Sequence, residues 1–425
     1  MKITLLTYGS RGDVQPFIAL AVGLKKAGHD PLLAAPKLFS DLAERYKVPF
    51  HSLPGDPEEI SARFNDAGQN PVRTMHAIGG YVFQIAPQVA KAALDACHNA
   101  DLLIHGFLFT AGGHAFAVQQ GIPDISVQTF PMFAPTRAFP NVSVAGIPPG
   151  WLSLVSHWLF DLFFRYGGNL GYQRIRYQHP EIPLPGSLPW PFKKSDKVAR
   201  TPILFAFSSH VIPPPREWQR QAHIHLPGYF MLEDFSYVPP KVVLDFLAAG
   251  TPPICITFGS MVNRYLDRIR SVMFEALHHT HQRAIILTGW GSWGDSPVQN
   301  GILMHDKLPH SWLFPQCKLL IHHGGAGTTA AALQSGIPSM IVPFAGDQPF
   351  WADVVNRLGV GPKSIRVKNL CVDKLEQAFL DAELPIYQIR AKELGETLRS
   401  EDGVEAAVRF VDQMGVGVAG NRSQP

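Results

Sequence analysis

Residues 318–338, KLLIHHGGAGTTAAALQSGIP, decide how this chain folds. An apolar run ends in histidine, a turn of small residues and a helix-forming segment follow, and Gly-Ile-Pro closes the segment. Residues 101–123, DLLIHGFLFTAGGHAFAVQQGIP, keep the same order and share LLIH and GIP with it. Because another apolar strand follows each copy, each predicts a βαβ unit with parallel strands. A solenoid needs at least about three repeats, so two copies predict two halves of similar architecture.

The rest of the chain extends this pattern outward. From Lys2 onward, short apolar strands alternate with amphipathic helices, and a chain of 425 residues is too long for one ordinary core. Proline-rich segments separate the halves near residues 227–242. We therefore expect an α/β protein with a first domain at residues 1–235 and a second at residues 240–385. Two further helices, predicted within residues 386–415, are expected to pack back against the first domain.

The composition excludes several classes of protein. Lys and Arg number 37 and Asp and Glu number 34, so no overall positive field favours nucleic acid as a partner. The four cysteines lack metal-ligand spacing and predict buried thiols in a reducing, cytoplasmic setting. The first apolar run is too short for a signal peptide, and no run of about 18 apolar residues predicts a membrane span.

The turn after His322 has the features of a phosphate site. Small residues at Gly324–Gly327 allow close approach to the backbone, and the helix predicted to start near Thr328 offers unpaired N–H groups. His322 and His323 can each add a side-chain donor. The segment TFGSM predicts a second phosphate contact through Ser260, which equally well caps the helix that follows.

Two carboxylates follow strands at the sheet edge where α/β proteins bind ligands. Asp347, with Gln348 beside it, can hydrogen-bond several sugar hydroxyls or can cap the next helix. Asp13, in the turn GSRGD, can take a proton from an attacking hydroxyl group. Capping of the first helix by Asp13 or Ser10 explains the same residues equally well.

Five segments, in this order, resemble the sterol 3-β-glucosyltransferase type of glycosyltransferase: YGSRGDVQP (8–16), ITFGSM (256–261), LPHSWLFPQ (308–316), HHGGAGTT (322–329) and PFAGDQ (343–348). The resemblance spans nearly the whole chain, and the run QTFPMFAPTRAFP from residue 128 is similar to the sterol branch in particular. It implies the GT-B architecture, in which two Rossmann-like domains face a cleft and the C-terminal helix crosses back to the first domain.

The resemblance also implies an inverting, metal-independent hexosyltransferase without a cofactor. UDP-glucose would be the donor, and the hydroxyl of a sterol or other lipophilic natural product would be the acceptor. Asp13 would be the general base at a position where many relatives carry histidine, with His105 and His114 as candidate helpers. The donor would lie on Ser260, His310, His322, Gly325, Gly327, Thr328, Thr329, Asp347 and Gln348, and the acceptor on Ser10, Phe130, Met132, Phe133 and Trp151.

Other functions fit part of the pattern. Gly325–Ala330 reads GxGxxA, with Asp347 about 20 residues further on, as in an NAD(P)-dependent oxidoreductase, although the first turn does not fit that fingerprint. A non-catalytic nucleotide-sugar-binding protein or an epimerase would keep the fold.

Because the sterol enzymes carry long N-terminal extensions and this sequence starts at a strand, the acceptor need not be a sterol. The aromatic helix Trp151–Tyr166 is expected to line the acceptor pocket, to cover it as a lid, to make weak peripheral contact with a membrane or to belong to the core.

Overall fold

A computed structural model describes residues 1–57, 59, 71–144, 146–196, 198–232, 237–259, 266–289, 298–299 and 301–422. It divides into two compact units. The first comprises Met1–Pro57, Ile78–Leu232 and Asp402–Pro425, and the second comprises Glu58–Ala77 and Glu233–Glu401. Among the helices in the described part of the chain, none combines the length and the apolar character that crossing a bilayer requires.

Strands occur in both units. The described residues form β1 (Lys2–Leu6), β2 (Asp30–Pro36), β3 (Phe50–Leu53), β4 (Leu102–His105), β5 (Asp124–Gln128), β6 (Ile203–Phe205) and β7 (Ile224–His225) in the first unit. Those of the second unit are β8 (Ile254–Thr257), β9 (Ala284–Leu287), β10 (Val298–Gln299), β11 (Ile302–His305), β12 (Leu319–His322) and β13 (Ser339–Ile341).

Helices connect most of these strands. From the N-terminus they are α1 (Arg11–Lys26), α2 (Ser40–Arg45), α3 (Pro71–Ala96), α4 (Thr110–Gln120), α5 (Trp151–Gln178), α6 (Arg216–Gln219) and α7 (Lys241–Ala248). They continue as α8 (Leu266–His279), α9 (His310–Leu313), α10 (Ala326–Ser335), α11 (Gln348–Leu358), α12 (Val372–Ala382), α13 (Pro385–Arg399) and α14 (Gly403–Arg422).

Both sheets have the strand order of a doubly wound Rossmann fold. The first is parallel, with the order β3-β2-β1-β4-β5-β6-β7. The second has the order β10-β11-β9-β8-β12-β13 and is parallel except for β10, which runs antiparallel to β11. Counted from β8, its parallel strands repeat the order 3-2-1-4-5 of the first sheet. The predicted α/β class with two Rossmann-like units is therefore confirmed, and each sheet has its switch point beside its first and fourth strands.

The repeated segments occupy equivalent places in the two sheets. LLIH forms β4 in the first unit and β12 in the second, the fourth strand of each. Helices α4 and α10 follow and end at Gly121 and Gly336, which have φ values of +65° and +75°. Because a side chain disfavours this left-handed conformation, glycine ends each helix and directs the chain into the next strand.

Each unit has its own hydrophobic core. In the first, α1 packs between the sheet and α14, and the absence of a side chain at Gly23 leaves room for Val404. In the second, α8 and α12 pack together on one face of the sheet, and α13 packs on α10. Within residues 386–415, α13 therefore belongs to the second unit and α14 to the first.

Candidate active site

The turn after β1 fixes the carboxylate of Asp13 at the start of α1. Ser10 is the N-cap residue, and Asp13 Oδ2 accepts hydrogen bonds from the Ser10 backbone N–H at 2.8 Å and the Ser10 hydroxyl at 2.9 Å. Gly9 precedes them with a φ of +138°, and a Cβ there would collide with this carboxylate. Capping thus orients Asp13 and leaves its Oδ1 without a hydrogen bond from the described residues.

The surroundings of Asp13 suit a base. Burial raises the pKa of its carboxyl group, and the two hydrogen bonds from Ser10 partly oppose that rise. A raised pKa makes a carboxylate a stronger proton acceptor than a free aspartate. Asp13 lines a small pocket at the carboxyl ends of β1, β4 and β5, together with Thr7, Phe17, Gly106, Phe107 and Thr129.

The predicted acceptor residues differ in whether they contact this pocket, belong to the core or face solvent. Ser10 contacts Asp13 directly, and the buried Phe130 packs edge-on against Phe107 of the pocket with ring centroids 4.9 Å apart. Met132 is buried. Phe133 packs among four other aromatic rings at centroid distances of 5.0–5.9 Å, so it is a core residue. Trp151 begins α5 and is exposed.

The two histidines considered as helpers of Asp13 contact a different carboxylate. His105 Nε2 and His114 Nδ1 each lie 3.1 Å from Asp124 Oδ2, and the Thr201 hydroxyl donates to the same oxygen at 2.9 Å. Burial alone would raise the pKa of Asp124, but the hydrogen bonds from both histidines hold it well below its usual range. The side chain that donates a hydrogen bond to Asp13 is Ser10 instead.

In the second unit, β12 ends at a histidine whose ring has one unsatisfied donor. The Gly324 N–H donates to His322 Nδ1 at 3.2 Å, which places the ring proton on Nε2. His322 is fully buried, and its Nε2 has no hydrogen-bond partner among the described residues. Burial, with smaller contributions from His323 and His310, keeps the pKa of His322 well below its usual value. The neutral ring therefore holds a buried N–H whose lack of a partner costs about 1–3 kcal/mol.

His322 directly precedes the turn that leads into α10. Gly325 is the N-cap and α10 begins at Ala326, two positions before the predicted start, so Gly327 and Thr328 belong to its first turn. At Gly324, which has a φ of +91°, a Cβ would lie 2.6 Å from Ile341 Cγ2. Small residues are thus required here, and the first-turn N–H groups lack helical partners. Thr329 is buried, and its hydroxyl also has no partner within the described segments.

The remaining predicted donor residues flank this turn or lie outside the described residues. Asp347 Oδ2 accepts a hydrogen bond from the indole of Trp351 at 3.1 Å, and Gln348 Oε1 accepts one from the Phe344 N–H at 2.8 Å. These bonds fix both side chains at the start of α11. His310 stacks on Phe314 at a centroid distance of 4.4 Å and contributes to the low pKa described above. Ser260 lies outside the described residues.

The two sites have complementary chemistry. The first unit offers a carboxylate with a raised pKa beside a pocket, which suits proton abstraction. The second offers a buried N–H at a helix N-terminus, which suits a phosphate. Each site follows the first or fourth strand of its own sheet, where α/β proteins bind ligands. In the described part of the chain, no group of three or more His, Cys, Asp or Glu side chains could hold a metal ion.

Comparison with known proteins gives concordant matches in both units. Residues 3–134 match the glycosyltransferase family 28 N-terminal domain, and residues 288–403 match the C-terminal domain described as erythromycin biosynthesis protein CIII-like. Among solved structures, the glycotransferase of kitacinnamycin superposes with a TM-score of 0.70 over 97% of this chain and 98% of that chain, at 17% identity.

Curated relatives align over almost the whole chain. Sterol 3-beta-glucosyltransferase UGT80B1 of Arabidopsis thaliana is 32% identical over 96% of this chain and 67% of its own length. O-mycaminosyltylonolide 6-deoxyallosyltransferase of Streptomyces fradiae is 31% identical over 97% of both chains. The chain spans 65% of a second plant sterol glucosyltransferase and 27–30% of the fungal ones.

Proposed function

Since the chain belongs to the glycosyltransferase family that includes the sterol 3-beta-glucosyltransferases, we propose that it transfers glucose from UDP-glucose, with inversion, to a hydroxyl group of a lipophilic acceptor. The acceptor class extends from sterols to other lipophilic natural products, because by its name the Streptomyces relative acts on O-mycaminosyltylonolide. The observation that carries the proposal is His322, whose buried Nε2–H lacks a partner among the described residues.

The donor half of the proposal concerns the leaving group. As the bond between the anomeric carbon and the diphosphate breaks, negative charge grows on the phosphate oxygens. The Nε2–H of His322 and the first-turn N–H groups of α10 would receive this charge without reorganisation. Because the pKa of His322 is low, the ring stays a neutral donor at neutral pH. We therefore propose that transfer needs neither a metal ion nor a cofactor.

Other residues of the second unit would hold the rest of the donor. Asp347 and Gln348 have fixed positions at the start of α11 and would bind the sugar hydroxyls. His310 would border the nucleotide base, and Ser260 would assist at the phosphates. Recognition by several hydrogen bonds would orient the anomeric carbon for attack from the face opposite the diphosphate.

The acceptor half of the proposal concerns Asp13. Its Oδ1 would take the proton of the acceptor hydroxyl as that oxygen attacks the anomeric carbon, while Ser10 holds Oδ2. A bond forms between the acceptor oxygen and the sugar, the bond to the diphosphate breaks, and the configuration inverts. The enclosed volume of this pocket is about 10 Å³, room for a water-sized group. It would therefore admit the hydroxyl-bearing end of the acceptor.

Mass spectrometry and thermal denaturation test the two halves separately. The protein is incubated with UDP-glucose and a panel of sterols, flavonoids and macrolides, with and without EDTA, and we expect an EDTA-resistant product heavier by one hexose. UDP should raise the melting temperature, whereas His322→Ala should weaken UDP binding about 10- to 100-fold, the cost of a hydrogen bond to a charged group. His278→Ala, which removes an exposed histidine at the end of α8, is the matched control.

The outcomes distinguish the alternatives. Stabilisation by UDP without any product would contradict the acceptor class or the sugar, and stabilisation by dTDP alone would contradict the base. NADH fluorescence quenching without an effect of either nucleotide would favour the oxidoreductase and overturn the proposal. A changed sugar recovered in the absence of acceptor would favour an epimerase.

A further inference from the structure

Helix α5 buries three polar side chains and exposes a row of large apolar ones. Ser153, Ser156 and His157 are buried. On the opposite face seven large apolar or aromatic side chains are between 38% and 68% exposed. These residues, called the outer stripe below, are Trp151, Leu152, Trp158, Leu159, Leu162, Phe163 and Tyr166.

Hydrogen bonds fix this orientation of α5. The Ser156 hydroxyl donates to the Ser153 carbonyl at 2.6 Å and accepts a bond from the Asn141 N–H at 2.9 Å. His157 Nε2 lies 3.2 Å from the Phe139 carbonyl, and burial lowers the pKa of His157 to about 4, so the ring is neutral. Rotating α5 to bury the outer stripe would break these bonds and expose the core, so its exposure follows from the packing.

The outer stripe is continuous and large. At about 100° and 1.5 Å per residue, it covers an arc of roughly 140° and a length of about 24 Å. Aromatic side chains present roughly 150–250 Å² each, so the four rings of the stripe together expose on the order of 500 Å². With three leucines added, the patch exceeds the roughly 300–600 Å² of the largest apolar patch on a typical monomer. A surface of this size marks an interaction site.

The charges along α5 indicate the chemistry of the partner. Beyond Tyr166, the exposed Arg174 and Arg176 flank the two edges of this face at 100° per residue. The sequence of α5 contains a single acid, Asp161, which lies off the stripe. Burial, opposed by Lys193, raises the pKa of Asp161 to about 7, which weakens its negative charge. An apolar stripe rich in Trp and Phe, continued by arginines, is the pattern of a helix that lies in a bilayer interface.

We propose that the outer stripe docks this chain on the surface of an anionic lipid bilayer, with Arg174 and Arg176 against the headgroups. A second copy of the chain fits less well, because a symmetric contact would pair this face with itself and offer the arginines no anion. The inference goes beyond the proposed transfer reaction, since it rests on α5 alone. If both hold, docking brings the protein to the phase in which lipophilic acceptors dissolve.

Vesicle sedimentation of the full chain tests the inference. Vesicles of phosphatidylcholine mixed with phosphatidylserine should bind the protein, those of phosphatidylcholine alone should bind it more weakly, and salt should reduce the difference. Trp158→Gln combined with Phe163→Gln should lower the partition coefficient at least tenfold. Leu380→Gln, which replaces an equally exposed apolar side chain on α12, is the matched control and should bind like the wild type.

A second variant isolates the charge contribution. Arg174→Gln combined with Arg176→Gln should lower binding to the mixed vesicles about tenfold or more, at roughly 1 kcal/mol per cation, and leave binding to phosphatidylcholine unchanged. Absence of wild-type binding to mixed vesicles, or equal binding by the Trp158 and Phe163 variant, would overturn the proposal. Dimers in light scattering that this variant abolishes, without vesicle binding, would assign the stripe to a second copy. Transfer to dissolved acceptors is measured separately, so failure of either proposal is recognised independently.

Discussion

Replacing Ser10 with alanine tests whether the protonation of Asp13 controls transfer. The substitution removes the hydroxyl that donates to Asp13 Oδ2 at 2.9 Å but keeps the backbone N–H bond at 2.8 Å. Loss of an N-cap hydroxyl costs about 1 kcal/mol of stability. The fold should survive, because the carboxylate still receives the backbone bond.

The structure gives the direction in which the pKa of Asp13 should move, and general hydrogen-bond energies give the size of the change. A hydrogen bond to the charged form favours ionisation, so its loss raises the pKa of Asp13 beyond the rise that burial already causes. Bonds to charged groups contribute about 1.5–3 kcal/mol, and the lower end applies because Asp13 is only partly buried. At about 1.4 kcal/mol per pH unit, the acid limb of the activity profile should move upward by about one pH unit.

The measurement is kcat/KM against pH for an acceptor found in the panel, because this quantity reports ionisations of the free enzyme. Ser10→Ala should lose activity at acidic pH and approach the wild-type rate at alkaline pH, and Ser10→Thr should restore the wild-type profile. Unchanged stabilisation by UDP would show that the second unit is intact. An acid limb that stays in place in a folded variant would refute Asp13 as the titrating base.

Three further perturbations have defined outcomes. Asp13→Asn should lower kcat/KM by roughly 10²–10⁴-fold, the usual contribution of a general base, with UDP stabilisation unchanged; normal turnover would exclude Asp13 as the base. Gly324→Ala forces a side chain toward Ile341 at a φ of +91° and should lower the free energy of unfolding by about 1–3 kcal/mol. The melting temperature and its rise with UDP should therefore both be smaller. An unaltered melting temperature and UDP response would contradict the tight turn. The pKa of Asp161 is about 7 in the folded protein and near 3.9 in the unfolded chain. The free energy of unfolding of the wild type should therefore fall as the pH rises between these two values. The fall is at most about 4 kcal/mol before solvent screening. Asp161→Asn should therefore be the more stable protein in urea at about pH 8 and lose its advantage near pH 4; an equal difference at both pH values would contradict the assigned pKa.

Local sequence patterns predicted the sheets and the turns well. The two LLIH segments are the fourth strands of their sheets, and both Gly-Ile-Pro segments end helices, because strand burial and left-handed glycines depend on nearby residues. The extent of α5 was harder to predict. The aromatic segment ends at Tyr166, yet the helix continues to Gln178. Tyr172 occupies the space left by the missing side chain of Gly112, and Ile175 is buried, so tertiary packing overrides the glycines of this segment.

Contacts between distant segments explain what the sequence left open at the candidate sites. Whether Asp13 caps α1 or serves a pocket depends on Phe107 and Thr129, which follow other strands. No local pattern marks them. The role of His105 likewise depends on Asp124, which lies 19 residues away in sequence and on the neighbouring strand. Residue types predicted the chemistry available, but strand packing decided which groups meet.

Because the two halves repeat the same segment, residues at equivalent positions in them can be compared directly. After the shared Gly-Ile-Pro, β5 begins with Asp124 and β13 with Ser339, in equivalent register against their LLIH strands. In one half a carboxylate engages the strand-end histidine. In the other half the Nε2–H of His322 has no partner among the described residues. The residue at the start of the following strand thus determines whether the strand-end histidine has a carboxylate partner, and exchanging Asp124 and Ser339 between the halves would exchange that difference.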